Sequence, residues 1–584
     1  MPLLVAEGTL AALFVAVIAS IVGHHWYATS DWAIEVLRIR EVGTSHTPLV
    51  GAYSRLGFAH PGPLPFWMLA PFQRLLGDTG ILVGTALLNI ASLGLALWVA
   101  RRHGGNRLML LLWLGEIGLV HGLGLDFLVD PWNPYLPVLP FLAYLLLLWA
   151  VALGDPPLIP LAVFTGSFAV QAHVGYAPLV IGLGVLAAGG AVVRRRRARG
   201  ESETPTPAGT GRRMRWGYAG LVVGVLVWAA PVWQQIFGDQ GNLAAIIDSL
   251  RNPVGSAAGL PYAFGIMGTE AGPVPAWLTG SETAFFEFVK TSRAWPAVMV
   301  ISAAVALAVA VRRRRPEAGA LAGGAVAAVV LALVATSRVT GGVAPYLVRW
   351  WWPVLMVAYV AVAWCVVELL APLLAPRAQR FTFRVVSVAA VGCALLVGVS
   401  GAPLELPLPT LGKPVGALAG PTADRLDRTK RYLVVAIDSG SLGATAIGLF
   451  TELEDRGYRV FFDPRFSSAL GKRRVIDPAR ADATLAVVSG EDDVAGKPSP
   501  GSRLLAHYDP VPASTRRQER TLQAKFRRLL GKNGDSGPIV VTSPPGRAVV
   551  EGHGARAADI DRLAKIQEKG DAYSVYLAPP TRQP

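Results

Sequence analysis

Apolar positions in this chain come in long unbroken runs. Eleven of them, near 3–24, 79–101, 106–124, 135–153, 157–173, 176–193, 216–234, 295–311, 317–337, 348–371 and 384–401, predict transmembrane helices. Crossing a ~30 Å hydrocarbon core takes ~17–25 apolar residues. The first run has no basic segment before it and no small-residue cleavage site after it, so it reads as a retained helix. Three stretches are too long for plain connectors: 25–78, 235–294 and 402–584. The first opens with helical patterning at 31–42, continues through the turn-rich "GAYSRLGFAHPGPL" and ends in the apolar "PFWMLAPFQRLL". That last piece is too short to span, which predicts an interfacial or re-entrant segment.

The pattern changes after the proline-rich "GAPLELPLPTLGKP" (401–414). "RYLVVAID", "YRVFFD", "ATLAVVS", "GPIVVTS" and "AYSVYLA" have the look of buried strands, while "ATAIGLFTELEDRG" and "AADIDRLAKIQEKG" have helical spacing. Such alternation predicts a small α/β domain with a largely parallel sheet. The expected architecture is therefore a polytopic α-helical membrane domain over 1–401, with about 11 transmembrane helices, followed by a C-terminal extracytoplasmic α/β domain over 402–584.

Composition supports the membrane reading, with 52% hydrophobic and 16% charged residues and a mean hydropathy of +0.44. The net charge of +15 does not indicate nucleic acid, because the arginines are bunched between apolar runs, as in "RRRRAR" (194–199) and "RRRR" (312–315). With a cytoplasmic N-terminus, the cluster of Arg101, Arg102 and Arg107, the stretch Arg194 to Arg215, the run Arg312 to Arg315 and the trio Arg377, Arg380 and Arg384 all fall inside. The long stretches 25–78, 235–294 and 402–584 then lie outside. The alanine, glycine, valine and arginine excess points to a bacterial source, hence to a multi-pass protein of the inner (plasma) membrane. Cys365 and Cys393 both sit in apolar runs, which argues against a disulfide framework or a zinc site.

The helix at 31–42 carries the clearest chemistry. At 100° per residue, Asp31, Glu35 and Arg38 fall within about 60° of one another. The stripe fits an interfacial helix with a solvated face, and it fits the edge of an active site. Glu116, in the middle of an apolar run, is either a functional acid or a structural one.

A first span followed by an external loop that opens with an acid on a short juxtamembrane helix resembles the GT-C glycosyltransferase superfamily. So do the multi-span body and the appended external domain. The resemblance implies an enzyme that moves a sugar from a polyprenyl-phosphate donor to an envelope glycan, lipid or protein acceptor at the external face. It carries the family's catalytic aspartate onto Asp31, with Glu35 as a second acid. The only cofactor it admits is a divalent cation (Mg or Mn), and this loop opens without the paired Asp-Asp or Asp-Glu that would hold one. Such chemistry needs a carboxylate for the acceptor hydroxyl and cations for the phosphate. Arg38, Arg55, Arg338 and Arg349 are the phosphate candidates, each also readable as a snorkelling arginine. Trp350 to Trp352 suit either a prenyl groove or an aromatic belt. His60, held by Gly57, Pro61, Gly62 and Pro63 at a turn corner, fits a site-lining residue or a plain turn. Asp130, Trp132 and Asn133 form a sugar-contact set or an ordinary loop, and His173 and Asn242 belong to the same outer face. The alternatives are a lipid or glycolipid transporter or flippase, and a ligase or polymerase of lipid-linked glycans.

Overall fold

The computed structural model describes residues 2–54, 56–200, 207–238, 241–272, 274–280, 295–313, 315–401, 404–437, 443–489, 500–531, 539–542 and 544–580. It forms two compact units, Met1–His24 with Ile39–Leu406, and His25–Arg38 with Pro407–Pro584. This division differs from the expected one at residues 25–38, which belong with the C-terminal unit.

The first unit is helical. In chain order its helices are α1 (Pro2–Ile21), the end of α2 (Ser30–Glu41), α3 (Leu64–Leu76), α4 (Thr79–Leu123), α5 (Val138–Ala152), α6 (Ile159–Ala172), α7 (Ala177–Gly200), α8 (Pro207–Phe237), α9 (Asn242–Arg251), α10 (Leu260–Glu270), α11 (Ala276–Thr279), α12 (Trp295–Arg312), α13 (Pro316–Ser337), α14 (Trp351–Leu370) and α15 (Pro376–Ser400). Among the described residues, seven helices are long and apolar enough to cross a membrane, fewer than the eleven spans expected. The gap has two causes. Helix α4 joins two expected spans in 45 residues, broken at Gly105, whose φ of 72° only glycine tolerates easily. Helices α5, α6 and α12 are apolar but shorter. The chain breaks between α6 and α7 because His173 is extended (φ −149°, ψ 117°), so the two expected spans there are separate.

"PFWMLAPFQRLL" is α3, too short to span, entered through Pro63 and left through Gly77. It lies so close to α4 that a Cβ on Gly84 would meet the Phe72 ring at 2.7 Å. The turn-rich segment before it is a small hairpin. Ser54 N–H donates to Phe58 O (2.9 Å), His60 N–H to Ala52 O (2.7 Å) and Gly51 N–H to His60 O (2.9 Å).

In the second unit, helix α16 (Pro409–Ala423) leads into a five-stranded sheet of order β2-β1-β3-β5-β4. The strands are β1 (Arg431–Ile437), β2 (Arg459–Phe461), β3 (Ala483–Ser489), β4 (Arg503–Tyr508) and β5 (Tyr573–Ala578), with α17 (Ala444–Asp455) connecting the first two. Strands β2, β1 and β3 are parallel, whereas β5 runs antiparallel to both β3 and β4. The sheet is mixed, not largely parallel. "GPIVVTS" supplies no strand among its described residues. Gln523 and Gln567 side chains take its backbone groups: Ile539 O accepts from both, Gln523 Oε1 accepts Ile539 N–H at 3.0 Å and Gln567 Oε1 accepts Val541 N–H at 2.9 Å. "RLLAHY" is a strand in its stead. Helices α18 (Ser467–Leu470), α19 (Ala513–Leu530), α20 (Pro544–Gly552) and α21 (Ala557–Gln567) complete the unit, the last three around a core of Phe526, Val550, Ile560 and Leu563.

Residues 25–38 are built into this unit. Trp26 Nε1 donates to Pro407 O (3.2 Å), and His25 Nε2 lies 3.1 Å from Glu452 Oε1. The fully buried Arg474 donates to Leu37 O (3.3 Å), Leu470 O (3.2 Å) and Glu454 Oε1 (2.9 Å). A Cβ on Gly448 would meet Ala28 O at 2.8 Å, so that close approach needs glycine.

Candidate functional site

The site in the first unit grows from the hairpin base. His60 is expected at the turn's corner; it lies instead at the paired base, buried. Glycine is required there, because a Cβ on Gly51 would meet Gly62 O at 2.8 Å and Gln171 O at 2.9 Å. Asn242 clamps the hairpin by accepting Ala59 N–H and donating to Ala59 O, both at 2.9 Å. Its amide is thereby spent on structure.

This base sets His60 against His173, ring centroids 4.6 Å apart. His60 Nδ1 accepts Val174 N–H (3.1 Å), and His173 Nδ1 accepts Gly175 N–H (3.2 Å). Each neutral ring therefore carries its proton on Nε2. Burial, and then His173, hold His60 well below the ordinary imidazole range, while burial pulls His173 down to about 4. Two buried rings cannot both charge without water or an anion to compensate.

Three loops bring the remaining groups to these rings. Asn133 Nδ2 donates to Ala172 O (3.3 Å), tying the α4–α5 loop to the residue before His173. Asp130 Oδ1 accepts Trp132 N–H (2.9 Å), setting the turn that packs Trp132 on Tyr135 and Tyr346. From the entrance of α14, Trp350 meets Tyr176 edge-on at 5.4 Å. Beside it the buried Arg349 guanidinium lies 4.2 Å from the Trp352 ring centroid and 6.0 Å from that of Tyr135. Desolvated cation–π contacts of this kind contribute about 2 kcal/mol.

Trp350, Trp351 and Trp352 are all buried within the protein, which rules out a lipid-facing aromatic belt for them. Trp351 Nε1 donates to Thr336 Oγ1 (3.0 Å), and Trp352 Nε1 donates to Glu270 Oε2 (2.8 Å). Burial pushes the Glu270 carboxyl above its usual range, against the opposing pull of Arg349 and of the Trp352 N–H. Glu270 escaped the sequence reading. It ends a short helix in the second long loop, and only its distant pairing with "RWWW" marks it out.

Among the described residues, Arg349 Nε, Trp350 Nε1 and Tyr176 Oη are buried without a hydrogen-bond partner. Buried donors are nearly always satisfied. These three orphans belong to residues gathered around the two neutral imidazoles.

Of the expected site residues, His60, Asp130, Asn133, His173 and Arg349 come together here. Arg338 is exposed at the end of α13. Arg55 lies outside the described residues. Asp31, Glu35 and Arg38 belong to the second unit, with Asp31 exposed, Glu35 buried and Arg38 half-buried. Ser30 enters their helix at φ 51°, a left-handed conformation uncommon for serine. The simple solvated stripe is corrected by burial, since Trp32 to Leu37 are all enclosed. Among the described residues, no three His, Cys, Asp or Glu side chains are grouped to hold a metal ion.

Neither a family model nor a curated protein sequence matches the chain. Among solved structures, ArnT from Cupriavidus metallidurans bound to undecaprenyl phosphate aligns over 85% of this chain and 95% of its own, at 15% identity and a TM-score of 0.51. The fold is ArnT-like. The apo ArnT structure from the same organism aligns over the same shares, at 15% identity and a TM-score of 0.46. At this identity the likeness to ArnT is one of fold, and it meets the expected GT-C resemblance at that level. An ArnT-like fold with seven apolar candidate spans makes this a membrane-embedded protein.

Proposed function

We propose that this protein is an integral-membrane glycosyltransferase that takes a sugar from a polyprenyl-phosphate donor and passes it to an envelope glycan, lipid or protein acceptor at the external face of a bacterial plasma membrane. The observation that carries the reading is the trio of orphaned buried donors on Arg349, Trp350 and Tyr176, beside His60 and His173. A phosphate diester bearing a sugar supplies the acceptors they lack, and an arginine held on an aromatic face suits a leaving phosphate. ArnT's bound undecaprenyl phosphate supports the same donor class. An apolar crevice of about 510 Å³, lined by Leu145, Leu183, Leu186, Ala325 and Val354, begins one turn along α14 from Trp350 and suits a prenyl chain.

In the reaction, the acceptor hydroxyl oxygen bonds to the anomeric carbon as the bond from that carbon to the phosphate oxygen breaks. The polyprenyl phosphate leaves as an anion toward Arg349. The hydroxyl proton passes to a carboxylate, a part that the resemblance to the GT-C superfamily assigns to Asp31, with Glu35 as a second acid. EDTA treatment tests whether transfer needs a divalent cation.

The test uses purified full-length protein in nanodiscs, with radiolabelled polyprenyl-phosphate sugars and envelope acceptors. Transfer is expected, with loss in Arg349→Ala and in Asp31→Asn. Full activity in a well-folded Asp31→Asn variant would remove Asp31 from its role. Movement of lipid across the bilayer without a new glycosidic bond would overturn the enzyme reading itself.

A further inference from the structure

Glu116 stands apart from the site just described. It lies in the second half of α4, nine residues beyond Arg107 and seven before Leu123, so a rise of ~1.5 Å per residue puts it near the middle of that half. The side chain is buried, and among the described residues neither carboxyl oxygen has a hydrogen-bond partner. It lines a crevice of about 220 Å³ between α1, α4 and α15, whose other walls include Leu13, Ala16, Trp113, Val120 and Gly398. Among the described lining residues the one side-chain hydroxyl, Thr9 Oγ1, donates to Val5 O at 2.8 Å. Leaving both oxygens unmatched in hydrocarbon costs several kcal/mol, so an acid kept in such a place calls for a partner.

The crevice limits what that partner is. A transmembrane helix is ~10–12 Å across with its side chains and does not enter 220 Å³, whereas a single hydrocarbon chain does. Phospholipid ester groups sit at the edge of a ~30 Å core and bring only methylenes to this depth. An alkylammonium would set a full charge and three N–H donors against Glu116 as the one carboxyl in the described lining, and a desolvated ion pair tends to gain less than its burial costs. A carboxylic acid offers one donor and one acceptor, and an alcohol offers the same pair in return. We propose that the Glu116 crevice is a binding site for a neutral long-chain alcohol dissolved in the bilayer. Its hydroxyl donates to the Glu116 carbonyl oxygen and accepts from the Glu116 O–H. The site is independent of the donor-phosphate reading.

The probe is a photoactivatable sixteen-carbon alcohol, with its methyl ether as control, added to the full chain in phosphatidylcholine nanodiscs. Labelling is expected on α1, α4 and α15, to be displaced by unlabelled hexadecanol, and to be about tenfold weaker with the ether. Glu116→Gln, which keeps a donor and an acceptor, should retain labelling, while Glu116→Leu should lose it by about tenfold. Gly398→Leu, which fills the crevice from the opposite helix and leaves Glu116 in place, should also lose it. Equal labelling by alcohol and ether, or unchanged labelling in well-folded Glu116→Leu or Gly398→Leu protein, would overturn the proposal.

Discussion

Replacing both of the adjoining histidines, His60 and His173, by asparagine should flatten the acid side of the protein's stability curve. Asparagine Oδ1 takes the place of imidazole Nδ1, so the acceptors for Val174 N–H and Gly175 N–H survive while the titrating rings do not. Buried His173 has its folded value pulled down to about 4 from an ordinary 6.5. Between those values the unfolded chain binds a proton that the folded ring refuses, so stability is full above pH ~6.5 and falls as pH drops toward 4. From pH 8 to pH 5 this removes about 2 kcal/mol for His173 alone, at ~1.4 kcal/mol per unit. His60 shifts in the same direction and adds to the loss. Thermal unfolding in detergent at pH 8, 6.5 and 5 reads the effect. The wild type should lose at least about 2 kcal/mol more than His60→Asn/His173→Asn over that range. Parallel curves for the two proteins would refute the burial of neutral rings, and single His173→Asn gives the same test should the double variant fold poorly.

Three other outcomes are expected. Arg349→Lys keeps the charge but not the planar fork over Trp352, so sugar transfer should fall by about 10²-fold in a radiolabel assay, and Trp352→Phe should cost far less. Gly51→Ala presses a methyl against Gly62 O and Gln171 O and should destabilise the protein by about 1–3 kcal/mol in a thermal scan. Arg474→Met leaves Glu454 with Arg473 alone and frees Leu37 O, so it should cost about 1–3 kcal/mol and raise amide exchange across residues 25–38.

The helices were legible because apolar runs in a membrane protein are long and insensitive to tertiary context. The break inside α4 was legible as well, as the arginine-bearing gap between the runs 79–101 and 106–124. The sheet was read less well. β4 carries arginine and histidine and looks polar, whereas the strand-like "GPIVVTS" has its backbone claimed by Gln523 and Gln567. In the candidate site, His60, Asp130, Asn133, His173 and Arg349 were visible as polar residues beside span ends. The distant partnerships were not. Nothing local in "GIMGTE" says that Glu270 will meet Trp352, and nothing in "VIDPAR" or the "KRR" before it says that Arg474 will hold the backbone of α2.

The seating of residues 25–38 bears on how the chain is made. Their partners, Glu452 and Arg474, lie 427 and 437 positions further along. A ribosome adding ~5–20 residues per second exposes the acidic helix well before those partners exist. Residues 25–38 therefore lack these partners while every apolar helix inserts, and gain them only once the chain beyond residue 407 emerges. A chain stopped short of residue 407 would retain its membrane helices yet leave residues 25–38 without their seat. The seat of these residues is thus assembled only after the membrane helices before it have been made.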